Sequence, residues 1–156
     1  MLLKHGLMLV GNSLSGKTIT LKLLQYLNKI KVEKGDTSND FSEIDIRTIF
    51  PKSVELDELY EKIGSDGQYH DGLLTYYLKD ISNTRYDDWT TRVIKWLFLD
   101  ALVDTLWIES LNTLLDDTRM LSLPSGFHIN LKPDIKIVFE AEHLTQATPA
   151  TIPHLV

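Results

Sequence analysis

The stretch "GLMLVGNSLSGKT", residues 6 to 18, constrains this chain more than any other. Gly11-Asn12-Ser13-Leu14-Ser15-Gly16-Lys17-Thr18 fits the pattern G-x-x-x-x-G-K-[ST] at every position. The two glycines let the backbone curl so that its N–H groups face a phosphate. Lys17 supplies a compact positive charge for β- and γ-phosphates, and the Thr18 hydroxyl suits Mg²⁺. A Gly/Ser-rich turn can match such a pattern by chance, so the flanks matter. Leu7–Val10 reads as a buried strand before the loop. Lys17–Lys29 reads as a helix after it, with Ile19, Leu23, Leu24 and Leu27 on one face. A helix beginning at Lys17 brings the partial positive charge of its N-terminus to the same place.

The rest of the chain alternates in the same way. "IDIRTIF" (Ile44–Phe50) reads as a strand stopped by Pro51, and Val54–Ile63 as a short helix with Ser53 as its N-cap. Residues 31 to 42 read as a surface loop, and "GSDGQYHDG" has turn chemistry. Leu73–Ile81 follows as a helix, and Asn83–Thr91 as a polar connection. Val93–Leu99 is the most strand-like run, and Asp104–Leu114 has helical periodicity. "MLSLPSGFHINL" carries a hairpin signal around Pro124-Ser125-Gly126, and Ile135–Phe139 is a last buried strand. The expectation is an α/β chain with a mostly parallel sheet flanked by helices. Ligands bind at the carboxyl ends of such strands.

Composition narrows the function. The chain has 156 residues and a net charge of −6, an unfavourable balance for meeting a nucleic-acid backbone. It contains no cysteine, which excludes disulfides and thiolate metal sites. The apolar run at Leu7–Val10 is too short for a signal peptide, and no run approaches a membrane span. An intracellular, soluble protein without nucleic-acid or membrane partners is expected. The five histidines, His5, His70, His128, His143 and His154, lack ligand spacing. Trp89, Trp96 and Trp107 read as packing residues, Asp116-Asp117 as a cap or turn, and Glu55, Asp57, Glu58 and Glu61 as a solvated helix face.

A phosphate loop needs a carboxylate at the end of another strand to hold magnesium. "KWLFLD" supplies Asp100 there. The next residue is Ala101, which can neither take a proton nor orient water. Asp104 and Glu109 lie further on, and Asp104 is better placed as a helix cap than as a base. The pattern reads as gripping without efficient cleavage.

The order of "HGLMLVGNSLSGKT", "FPKSVELDELY", "HDGLLTYYLKDI", "KWLFLDALVDTLWIESLNTLLDD", "MLSLPSGFHINL" and "IKIVFEAEHLTQATPAT" resembles dynein heavy chains, from about His5 to Thr151. It is most similar to the second AAA+ module of the motor ring, of axonemal type. The resemblance implies a P-loop AAA+ large subdomain over residues 1–151, without its lid, then a tail at 152–156 outside the family. It also implies a truncated product or fragment. ATPases of the AAA+ type usually carry a Glu directly after the strand Asp; this module of dyneins usually has Gly, and here it is Ala101. Lys17 and Thr18 then map to Walker A, Asp100 to Walker B, and Glu140 near the position that senses the γ-phosphate. Nucleotide contacts fall to Gly11, Asn12, Ser13, Leu14, Ser15, Gly16, Lys17, Thr18 and Asp100, and metal contacts to Thr18 and Asp100. Asn12 and Leu14 stand where Pro and Gly are common, and no Arg follows Arg119 to act on a neighbouring site.

By the same resemblance the cofactors are ATP and Mg²⁺. The partners are neighbouring AAA+ modules and dynein intermediate or light chains, with microtubules reached only indirectly. The location is the cytoplasm and cytoskeleton, in a cilium axoneme. The module holds nucleotide in a structural or regulatory role. The alternatives are an active ATPase and an interaction module that has lost nucleotide.

Overall fold

A computed structural model describes residues 6–35, 42–83, 93–100 and 111–142. The elements are β1 (Gly6–Val10), α1 (Lys17–Glu33), β2 (Glu43–Ile49), a 3₁₀ turn (Pro51–Ser53), α2 (Leu56–Leu59), β3 (Glu61–Ile63), β4 (Tyr69–Asp71), α3 (Leu73–Asn83), β5 (Val93–Asp100), α4 (Asn112–Leu115), β6 (Met120–Ser122), β7 (His128–Asn130) and β8 (Ile135–Ala141). Four strands form one sheet in the order β1-β8-β5-β2, and every pairing in it is parallel. The expected α/β class and parallel sheet are therefore what the chain adopts. β6 and β7 make the expected hairpin as a separate two-stranded sheet.

Because side chains alternate along a strand, each strand sends one set to either face of the sheet. Leu97 and Leu99 of β5, and Ile135, Ile137 and Phe139 of β8, join the larger core with Leu74, Leu78 and Ile81 of α3 and Leu121 and Ile129 of the hairpin. Trp96 and Phe98 of β5, Val138 of β8 and Ile44 of β2 face the other way and meet Leu21 of α1. Trp96 is thus a packing residue, as read; Trp89 and Trp107 lie outside the described residues.

Several local expectations are corrected. α1 runs on to Glu33, into the segment read as loop. The apolar residues read on one face of it, Ile19, Leu23, Leu24 and Leu27, are all exposed. The packed stripe is Leu21, Gln25 and Asn28 instead. Its polar members are satisfied, Gln25 Nε2 donating to the Ile44 carbonyl at 2.8 Å and Asn28 Nδ2 to the Leu24 carbonyl at 2.9 Å. Periodicity groups residues on a face; which face meets the sheet depends on where the loop delivers the helix.

The helix read over Val54–Ile63 contracts to Leu56–Leu59, and Glu61–Ile63 pairs antiparallel with Tyr69–Asp71. Ser53 is not an N-cap; its hydroxyl donates to the Phe50 carbonyl. Glu61 leaves the solvated acidic face and is buried, accepting from the Ser125 amide at 3.0 Å and hydroxyl at 2.9 Å. Two hairpins distant in sequence are tied by that carboxylate. Gly72 explains the tight entry into α3, since a Cβ there would sit 2.5 Å from the Glu58 carbonyl oxygen. Of the helix read over Asp104–Leu114, only the end is described, as α4. The connection 84–92, residues 101–110 with Ala101, Asp104 and Glu109, and the tail 152–156 lie outside the described residues.

Candidate functional site

The loop after β1 rests on β8. The Gly11 amide donates to the Ala141 carbonyl at 3.1 Å, extending the β1–β8 ladder by one bond. Ser15 N then donates to the Asn12 carbonyl at 3.2 Å and closes the turn. A Cβ on Gly11 would meet Ser15 Oγ at 3.0 Å, tighter than ordinary packing, so the fold of the loop calls for glycine there. Gly16 takes φ 88°, the left-handed value that glycine adopts without penalty. Leu14 takes φ 65° and is fully exposed, so an L-residue holds a conformation that favours glycine with no burial to offset it.

α1 starts directly after this turn. Among the described residues no side chain caps its N-terminus, and no acid lies in its first turn, which leaves the amide end of the helix to an anion. Lys17 Nζ donates to the carbonyls of Gly11 at 2.6 Å and Asn12 at 2.9 Å, and stands 3.6 Å from Glu140 Oε1. Thr18 Oγ1 donates to Glu140 Oε2 at 2.8 Å.

Asp100 ends β5 directly opposite Glu140 of β8 in the parallel register. The alternation that sends Phe98 and Val138 toward α1 sends Asp100 and Glu140 to the same face, at the strand ends where α1 begins. Burial raises the Asp100 carboxyl above the usual aspartate range; the nearby Glu140 charge adds to this and Lys17 opposes it. A cavity of about 460 Å³ is lined by Ser13, Leu14, Lys17, Asp100, Glu140 and Glu142. A second, of about 360 Å³, runs from Thr18 and Asp100 along Leu21, Ile46 and Phe98.

All the sequence-predicted contact residues therefore gather at one end of the sheet: Gly11 to Thr18 as a continuous loop, and Asp100 from β5, two strands along from β1. Their chemistry fits a metal-bound phosphate chain. The uncapped helix end, the glycine turn and one ammonium suit the anion, and a hydroxyl beside paired carboxylates suits a hard cation. Among the described residues no group of three or more His, Cys, Asp or Glu side chains is placed to hold a metal ion, at this site or elsewhere. His70 lies against Asp66 and His128 against Ser122, while His5, His143 and His154 lie outside the described residues. Asp116 turns the chain, its carboxylate accepting from the Asp117 amide.

Sequence reasoning missed Glu142. Its Oε1 accepts from the Ser13 amide at 3.0 Å and also from the Ser13 hydroxyl. The signal was present in "IVFEAE": two glutamates two residues apart at a strand end share a face.

No protein-family profile matches the chain. Individual proteins do. It is 38% identical over 151 residues to Dynein-1-beta heavy chain, flagellar inner arm I1 complex, of Chlamydomonas reinhardtii, covering 96% of this chain and 3% of that protein. It is 37% identical over 158 residues to Dynein alpha chain, flagellar outer arm, of the same organism, with the same shares of each. Against Dynein axonemal heavy chain 6 of Homo sapiens the figures are 34% over 153 residues, 97% of this chain and 4% of that protein. The chain thus spans only a few per cent of the length of the relatives it matches.

Proposed function

This chain belongs to the axonemal dynein heavy chains over the short segment it spans, and from that premise we propose that it is a nucleotide-holding AAA+ module of a microtubule motor. The observation that carries the reading is the convergence of loop, Thr18 and Asp100 on one face at the carboxyl end of a parallel sheet. In this reading it is the second module of the motor ring, which its motifs resemble.

In this reading ATP is the nucleotide and Mg²⁺ its cation. The amides of Asn12 to Thr18 and the Lys17 ammonium bind the triphosphate, while Thr18 and Asp100 hold the metal. The cation supplies charge neutralisation of the phosphate oxygens when bound. Asp100 is kept in place by the β5 register, and Leu21 and Phe98 line the cavity beside it. The residue that follows is Ala101, with no group to activate water, so the module holds nucleotide in a structural or regulatory role and hydrolyses little. Neighbouring AAA+ modules and dynein intermediate or light chains are its partners through a larger assembly, and microtubules are reached only indirectly. The setting is the cytoskeleton of the ciliary axoneme. No helix among the described residues is long and apolar enough to cross a membrane.

Titration of the chain with Mg-ATP, followed by single-turnover hydrolysis, tests this. Saturable binding that Lys17→Ala weakens at least about tenfold, with no phosphate release, is expected. Hydrolysis abolished by Lys17→Ala would make the module an ATPase. Absence of binding at millimolar nucleotide would leave an interaction module.

A further inference from the structure

The loop that would grip phosphate already grips a carboxylate. Glu142, two residues beyond Glu140 at the end of β8, accepts from both the amide and the hydroxyl of Ser13 through one oxygen. The bond from Gly11 N to the Ala141 carbonyl fixes the loop against β8, so the next residue is delivered onto the rim of the loop by register. Glu140 takes the Thr18 hydroxyl and approaches Lys17 in the same way. Among the described residues, three carboxylates, Asp100, Glu140 and Glu142, thus line a cavity with a single ammonium, Lys17. Ionised acceptors make the stronger class of hydrogen bond, and an anion arriving at this rim must displace one.

We propose that Glu142 is a resident competitor for the phosphate loop, a selectivity residue that sets how tightly the site takes a phosphate chain and favours the metal-chelated form over the bare anion. This rests on the nucleotide-holding reading. A phosphate oxygen and the Glu142 carboxylate seek the same Ser13 donors, so each excludes the other. The negative rim repels an uncomplexed triphosphate, whereas a divalent cation cancels much of that repulsion.

Two measurements on the 156-residue chain test it. The first needs no nucleotide: amide hydrogen exchange at Ser13, read by NMR, is expected to be faster in Glu142→Ala than in the unaltered chain, because its acceptor is gone. The second is calorimetric titration with Mg-ATP and with ATP plus a chelator. Glu142→Ala is expected to tighten Mg-ATP about three- to tenfold and to narrow the gap between Mg-ATP and bare ATP. Glu142→Gln, which keeps an acceptor oxygen but loses the charge, is expected to narrow that gap while tightening Mg-ATP less. Unchanged Ser13 exchange, or unchanged or weaker Mg-ATP affinity in Glu142→Ala while the unaltered chain binds, overturns the competitor role alone. Faster exchange with no binding by any variant overturns the nucleotide reading and the competition with it.

Discussion

The two faces of the parallel sheet are built to different standards. One is closed by α3, α2 and the β6–β7 hairpin over a continuous core in which Leu78, Leu97, Ile135 and Phe139 are fully enclosed. The other receives, among the described residues, only α1, through Leu21 and a partly polar stripe, while Ile19, Leu23 and Leu27 face outward. The candidate site lies on the second face. Enclosed packing fixes the strand ends, and the open face leaves room beside Thr18 and Asp100 for a ligand. Stability and binding are thereby drawn from opposite sides of one sheet.

The sharpest way to break this comparison is truncation on both faces. Leu78→Ala is expected to cost about 2–5 kcal/mol, read by denaturant unfolding. Leu21→Ala should cost less, about 1–2 kcal/mol, because the space it opens joins an existing groove that water can enter. Equal losses would mean that the α1 face is as enclosed as the other. Next in size is Glu61→Ala. It strands the Ser125 donors under the hairpin and should cost about 1–3 kcal/mol in the same measurement. A neutral result would return Glu61 to the solvated acidic face.

Two smaller effects sharpen the picture at the site. Leu14→Gly removes a left-handed φ from a fully exposed L-residue and should raise stability by up to about 1 kcal/mol, visible as a higher Tm. Asp100→Asn should also stabilise the nucleotide-free chain at neutral pH while weakening Mg-ATP binding. The folded chain holds the Asp100 proton more tightly than the unfolded chain, whose carboxyl titrates near the ordinary aspartate value of 3.8. Its contribution to stability is therefore fully present below 3.8 and lost as pH rises through the raised folded value. The Tm advantage of Asp100→Asn should accordingly shrink as the pH is lowered toward and below 3.8. A constant advantage across that range would assign it to something other than the charge.

The legible parts of this chain are those where local chemistry and tertiary role coincide. β5 and β8 are apolar runs buried on both faces, and β1 is a short apolar run ending at a glycine turn, so each reads as a strand of a parallel sheet. The loop from Gly11 to Thr18 was legible because its glycines answer local geometric needs. α1 was half legible: its existence followed from periodicity, its inward face did not. Gln25 and Asn28 pack inward only because Ile44 and the helix's own Leu24 supply carbonyls to receive their amides. Glu61 looked like one more acid on a helix until Ser125, 64 positions away, provided its donors.

The sequence by itself determined that a strand, a glycine turn and a lysine-headed helix would follow one another, since each depends on neighbours within a few bonds. It also placed an aspartate at the end of a second buried strand. Only the tertiary structure decided that β8 would lie between β1 and β5, bringing Glu140 beside Asp100 and Glu142 onto Ser13. Strand order and register are set by the sum of many contacts across the sheet, and no local pattern carries that sum.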